Sequence, residues 1–430
     1  MTNKKKVFIV GLDEFNLEKL NSLPEARECE FLPAVYFSEM RRSKKVSVPE
    51  LLSTAYKRID QAGKIDAVVS YFDFPGSVLV PVIAQKYNLP GPSIKSVVRC
   101  EHKYWSRMIQ QEVIPDNVPA FKAFDIYDDN AYDKIGLTPP FWIKPVKSYH
   151  SYLAFRITGH DQFKECIKEV RQHIDSIVEP FTHLFREYGL SEEISELEEK
   201  MFAEKEITGH QCTAEGYVTG NDIEVYGIID TVRIAGRSSF SRYEYPSSLP
   251  RDVLDKISGV SKKVIAHTGL DDSAFNIEYF YNEENGKIML LEINPRISQA
   301  HSELFEKVHG ISHHQTMLNL ALNRKPGRYD FKGDFKFAAH FMHRTFRPGV
   351  VLEVPHEKEI NKIKSRYPDL AIKINIKEGL HLKDMAPHHI DSYSWVLANI
   401  FLGGQSRQEL IDKYHDVAEN LTIKIDHGKN

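Results

Sequence analysis

Residues 276–296 read NIEYFYNEENGKIMLLEINPR. Two β-rich runs, 279–281 and 288–293, flank NEENG at 282–286, whose Gly286 can take the positive φ of a tight hairpin turn. In the second run Glu292, Asn294 and Arg296 are spaced by two, so an extended chain turns all three to one face. Leu291, Ile293, Pro295 and Ile297 turn to the other. If the hairpin folds back on itself, Glu278 comes beside Glu292. Two carboxylates and a carboxamide make a hard oxygen donor set suited to Mg²⁺ bridging phosphates, and Arg296 could then hold a phosphoryl oxygen. Buried like charges are costly unless a cation joins them, which favours a metal over plain packing. A hairpin carrying ordinary solvated acids remains the competing reading of this stretch alone.

Around this hairpin lies a chain of 430 residues that is 42% hydrophobic, enough for two or three cores. The net charge of -4, with both signs mixed, argues against a nucleic-acid binder, which usually carries a basic face. Cys29, Cys100, Cys166 and Cys212 are scattered without metal spacing and suggest a reducing compartment. The basic residues 1–6 run straight into VFIVG rather than into a signal-type apolar region, and no apolar run is long enough for a membrane span. A cytoplasmic protein with no membrane and no nucleic-acid partner is expected.

Residues 6–10 read as a buried strand, 15–20 and 51–62 as helices, 65–71 (IDAVVSY) as a second strand, and an apolar helix runs to Tyr87. This alternation implies a parallel α/β domain. Asp73 falls where a strand should end, the edge at which such sheets meet ligands. Gly11 lacks the companion glycines of a dinucleotide fingerprint, which disfavours a nicotinamide enzyme. After the rigid turn LPGPS at 89–93, Ser93 can cap a single helix that carries Lys103 and runs to Gln111. Residues 141–146 (FWIKPV) are a strand with one lysine, 147–151 (KSYHS) a polar turn, 152–157 a strand and 163–177 a helix. Residues 186–199 are acidic and loose. Antiparallel strands are expected at 202–207, 212–218 and 223–231, helices at 254–268, 309–322 and 408–420, and strands at 335–345 and 350–354. Arg242 and Tyr243 are placed in a loop that could border a substrate. His309, His313 and His314 lack sensible zinc spacing and read as core or helix-surface histidines.

In combination these motifs resemble the ATP-grasp superfamily, especially its carboxylate–amine ligases and biotin-carboxylase-like members. Glu278 followed by LLEINPR at 290–296 carries most of the likeness. IDAVVSYFDF with LPGPS, Lys103 in EHKYW, Lys144 in FWIKPV and AEKEITG at 203–209 carry the rest. The resemblance implies an N-terminal parallel α/β domain at 1–112, an ATP-grasp core of two α+β halves clamping nucleotide at 113–325, and a C-terminal α+β portion at 326–430. It also implies ATP with Mg²⁺, or Mn²⁺ in its place. Lys103 and Lys144 would contact phosphates. Glu204 would accept from the adenine amino group, with the backbone of Lys205 to Ile207 lining that pocket and Gln211 near the ribose. Glu278, Glu292 and Asn294 would bind the metal, and Arg296 would steady the transferring phosphate. Glu215 and Arg237, with Asp73, are looser substrate-facing assignments. The sequence departs from the family in two places: the phosphate loop 147–151 contains no glycine, and Gln211 is uncharged where an acid is frequent.

The implied reaction is ATP-dependent activation of a small carboxylic acid as an acyl phosphate, followed by joining to an amine. The alternatives are a bicarbonate-activating carboxylase-like enzyme and a non-catalytic nucleotide-binding regulator. The apolar helices of the first domain could also pair two copies into a homodimer.

Overall fold

The computed structural model describes residues 4–40, 47–147, 152–190, 201–385, 390–391 and 394–428. Of the polar loop 147–151 only Lys147 falls within these residues, and the acidic stretch is described only to residue 190. Two compact units result. The first comprises Met1–Gly227, Leu249–Ser298 and His314–Pro326, and the second Ile228–Ser248, Gln299–His313 and Gly327–Asn430.

The first unit begins with the expected parallel sheet, in the order Cys29–Tyr36, Lys5–Leu12, Ala67–Val69. Lys5–Leu12 is buried through its last six residues, because helices can cover both faces of such a strand. Val48–Ala62 shows why: Val48, Leu51, Leu52, Ala55 and Ile59 form one buried stripe, and Gly63, at φ 73, ends the helix. The strand Cys29–Tyr36 is not evident in the sequence. It contains Pro33, which has no N–H to donate, and it lies at the sheet edge, where proline is tolerated.

The single helix expected from Ser93 to Gln111 is two helices, Ile94–Glu101 and Lys103–Val113. His102 breaks it by adopting extended backbone and capping the second helix, its Nδ1 accepting from the Trp105 N–H at 3.1 Å. Burial near Phe181 and Phe185 pushes the His102 pKa down to about 3, so the ring stays neutral and can accept. The Lys103 N–H turns outward to the Val146 carbonyl at 2.7 Å. The break therefore fixes the base of Lys103 against the strand that carries Lys144.

That strand, Phe141–Pro145, lies in a four-stranded antiparallel sheet in the order Phe121–Phe124, Met201–Lys205, Phe141–Pro145, Phe155–Ile157. Phe141, Ile143, Ile157 and Ala203 face a core shared with Phe163, Ile167, Val170 and Ile174 of the 28-residue helix His160–Glu187. Each large apolar side chain so buried contributes about 1.5–3 kcal/mol. Trp142, Lys144 and Glu204 are left to the opposite face.

The hairpin forms as expected, with longer arms: Ser273–Asn282 pairs with Lys287–Asn294, and His210–Thr219 pairs along the other side of Ser273–Asn282. Gly286, at φ 68, makes the turn.

In the second unit, Ile228–Arg233 of the strand Asp222–Arg233 leads a sheet that continues through Phe240–Tyr245, Phe337–Thr345, Ser394–Gly404 and Ala371–Ile374. Arg242 and Tyr243 thus sit on a paired strand and not in a loop. The helix expected at 309–322 is Gln299–His309 followed by His313–Ala321, broken at Gly310, whose φ is 76. His309, His313 and His314 are all buried, and His309 is hydrogen-bonded to Tyr245 at 2.6 Å. The final helix, Arg407–Glu419, is capped by Ser406.

Candidate active site

Strand register brings Glu278 directly opposite Glu292, and Asn276 opposite Asn294. On the neighbouring strand Thr213 lies opposite Glu278 and Glu215 opposite Asn276. Two polar rows therefore cross three strands on one face: Thr213–Glu278–Glu292 and Glu215–Asn276–Asn294. Lys103 reaches across to Glu292, Nζ to Oε2 at 2.6 Å. Gln211 donates to Glu278 Oε2 at 3.1 Å, so it meets the acid pair rather than standing apart from it.

The two acids differ electrostatically. The Lys103 ammonium holds the Glu292 carboxyl well below the usual range, down to about 2, against the effect of burial. Burial first, and the Glu292 charge second, push Glu278 up to about 8. Such a pair has room for more positive charge. A divalent cation matches that donor set of two facing carboxylates and the Asn294 carboxamide. Among the described residues no group of three or more His, Cys, Asp or Glu side chains could hold a metal ion. A cation here would therefore need oxygen ligands from outside the protein to complete its shell.

A second cluster centres on Glu204. Its Oε2 accepts from Arg107 Nη2 at 2.9 Å and Nε at 3.1 Å, and its Oε1 from Lys144. Arg107 continues to the Leu291 carbonyl at 2.7 Å and to Gln110 Oε1 at 2.5 Å. Burial would raise the Glu204 carboxyl, but the Lys144 and Arg107 charges overcome it and hold the pKa at about 2.

A third group runs from Arg296 to Glu101. Arg296 Nη2 lies 3.6 Å from Asp73 Oδ2, and Lys147 Nζ lies 3.4 Å from Asp73 Oδ1 and 2.8 Å from Glu101 Oε2. Burial would raise Asp73, but Lys147 and Arg296 outweigh it and keep the group ionised.

Residues 137–303 match a family model described as an ATP-grasp domain. That stretch, which holds Lys144, Glu204 and the Glu278–Glu292 hairpin, is similar to ATP-grasp domains. Similar solved structures cover almost all of this chain at low identity. An L-amino acid ligase from Bacillus licheniformis aligns with TM-score 0.70 and 16% identity, over 99% of this chain and 100% of that one. A phosphoribosylglycinamide synthetase from Anaerococcus prevotii gives 0.66 and 16%, over 98% and 100%. A biotin carboxylase from Campylobacter jejuni, in a β,γ-ATP complex, gives 0.67 and 14%, over 98% and 92%. No curated protein matches the sequence. At these identities the likenesses establish a shared fold.

Within the first unit the expected residues fall into three groups: Lys103, Gln211, Glu278, Glu292 and Asn294 on the hairpin, Lys144 with Glu204, and Arg296 with Asp73. Lys205 is exposed, with its N–H on the Ala120 carbonyl at 2.8 Å, and Ile207 is half-buried beyond it. Glu215 is fully buried in the Asn276 row. Arg237 belongs to the second unit, where its guanidinium lies 4.0 Å from the Phe346 ring centroid. Sequence reasoning missed Arg107, Asn276 and the Lys147–Glu101 pair. Arg107 had a usable signal, since it stands four residues after Lys103 and so on the same helix face. Asn276 had one too, two residues before Glu278.

Proposed function

We propose that this chain is an enzyme that uses ATP to activate a carboxylate-type oxyanion as an acyl phosphate and passes the acyl group to an amine. The observation that carries this is the pairing of Glu278 with Glu292, with Lys103 on the latter, Asn294 ending the same strand and Arg296 two residues beyond it. In the first step a substrate oxygen attacks the γ-phosphorus and ADP leaves. In the second the amine attacks the acyl carbon, inorganic phosphate departs, and the amine gives up a proton. Neither step needs a covalent enzyme nucleophile.

Glu278, Glu292 and Asn294 would hold Mg²⁺, which, when bound, neutralises charge on the terminal phosphates. Lys103 and Lys144 bring ammonium groups to the same phosphates, and Arg296 orients the transferring group. Glu204 keeps Lys144 and Arg107 in place beside the base-side segment 205–207. In this reading the first unit holds nucleotide and supplies Asp73 and Glu215 as substrate-facing groups.

The oxyanion is either a small carboxylic acid or bicarbonate. The named likenesses support both, since they include an L-amino acid ligase and a biotin carboxylase. ADP release separates them. Turnover with bicarbonate alone, or with bicarbonate and an amine acceptor, marks the carboxylating reading; turnover only with a particular acid–amine pair marks the ligase. ATP binding without turnover under any pair in a broad metabolite panel would contradict both and leave a nucleotide-binding regulator.

A further inference from the structure

Two buried carboxamides stand in line beside the acid pair, and their orientation is forced from both ends by Arg296. Asn276 Nδ2 lies 2.9 Å from the Arg296 main-chain oxygen. A carbonyl oxygen only accepts, so the amino side of the Asn276 amide must face it. The Asn276 oxygen therefore faces away, and it meets Asn294 Nδ2 at 3.1 Å. That uses the amino side of Asn294 and turns Asn294 Oδ1 outward, toward Arg296 Nη2 at 3.4 Å. A guanidinium only donates, so this end demands an oxygen as well. Carbonyl, amide, amide and guanidinium thus form one directional chain with no alternative flip. Both amides are sequestered, Asn276 3% and Asn294 7% exposed, so water cannot easily substitute for either partner.

We infer that Asn276 is a positioning residue that fixes the Asn294 carboxamide with its oxygen, not its nitrogen, presented beside Glu278 and Glu292 as a cation ligand. The inference rests on the proposed metal–nucleotide reading and adds to it a residue outside the expected donor set. Without Asn276, the Asn294 amide can rotate by half a turn and present a donor to the cation. An aspartate at position 294 has two equivalent oxygens and no such problem. The two positions should therefore be coupled in one particular way.

The test is the affinity of the full chain for Mn²⁺ in the presence of a nonhydrolysable ATP analogue, read as free Mn²⁺ by electron paramagnetic resonance. Asn276→Ala is expected to weaken Mn²⁺ binding about 10- to 100-fold, the usual cost of removing a residue that orients a metal ligand. In an Asn294→Asp background the same substitution is expected to change affinity less than about twofold, because an orienting role has become redundant. An unchanged affinity for Asn276→Ala overturns the inference. So does an equal loss in both backgrounds, which is what general disruption of the hairpin produces. Should Asn276→Ala fail to fold, Asn276→Ser carries the same comparison, since its shorter hydroxyl cannot span both partners. If the unsubstituted protein takes up no Mn²⁺ with the analogue, the metal–nucleotide reading itself fails, and that result is separate from either outcome above.

Discussion

The Glu204 cluster and the Glu278–Glu292 pair sit on two sheets of the same unit, and both gather acids and bases at low exposure. They are built to opposite ends. Glu204 carries one negative charge against two cations, and the Arg107–Glu204 contact is sealed, with side chains 3% and 2% exposed. Glu278 and Glu292 set two carboxyls against Lys103, and the Lys103–Glu292 contact is open, with side chains 21% and 33% exposed. In the first arrangement the acid is already matched by cations. The second has a surplus of acid that a bound cation would relieve.

The largest expected effect is on catalysis. Glu292→Gln or Lys144→Ala should leave a folded protein whose ATP turnover with its cognate substrates drops a hundredfold or more, equivalent to roughly 3 kcal/mol of transition-state stabilisation. Full turnover in either variant would break the assignment.

The next effect is on stability, and it separates the two regions. Removing Arg107 leaves the sealed Glu204 with Lys144 alone, at a cost approaching the about 3–5 kcal/mol of a stranded buried charge. Arg107→Met should therefore lower the denaturant midpoint sharply. Lys103→Met disrupts a half-buried pair and should lower it less, while weakening ATP binding. Equal losses in the two variants would erase the contrast.

The smallest effects are in pH dependence, and their signs oppose. Glu204 is held below its ordinary 4.5, at about 2. Its contribution is complete above pH 4.5 and is lost as pH falls toward 2, so Glu204→Gln should be less stable than the unsubstituted chain at neutral pH and converge with it in acid. Glu278 is raised from 4.5 to about 8. Its burial costs nothing below pH 4.5, and the penalty grows until pH passes 8. Without divalent cations, Glu278→Gln should thus become more stable than the unsubstituted chain across that window, by on the order of 1 kcal/mol for a half-buried group. Chemical denaturation at several pH values reads both signs.

Much of this was legible in the sequence because it rests on short-range rules. The spacing of Glu292 and Asn294 fixed their common face, but the turn 282–286 alone would set Glu278 against Leu291, and a register shift between Glu278 and Tyr279 brings it to Glu292. The parallel first domain followed from strand–helix alternation. Contacts set by distant packing were not legible. No local pattern says that Lys147 reaches Glu101 and Asp73, or that Arg107 meets Glu204 across 97 residues of sequence. The break at His102 was hidden because His102 caps by burial and tautomer, with no glycine or proline to mark it. The strand at 29–36 was obscured by Pro33.

The most direct measurement is the position of Mn²⁺ in crystals grown with an ATP analogue, located by its anomalous scattering. The account requires a strong peak bonded to carboxylate oxygens of both Glu278 and Glu292, at about 2.1 Å as for a small hard divalent ion. A peak elsewhere on the chain, or nucleotide bound with no peak between those two carboxylates, would contradict it.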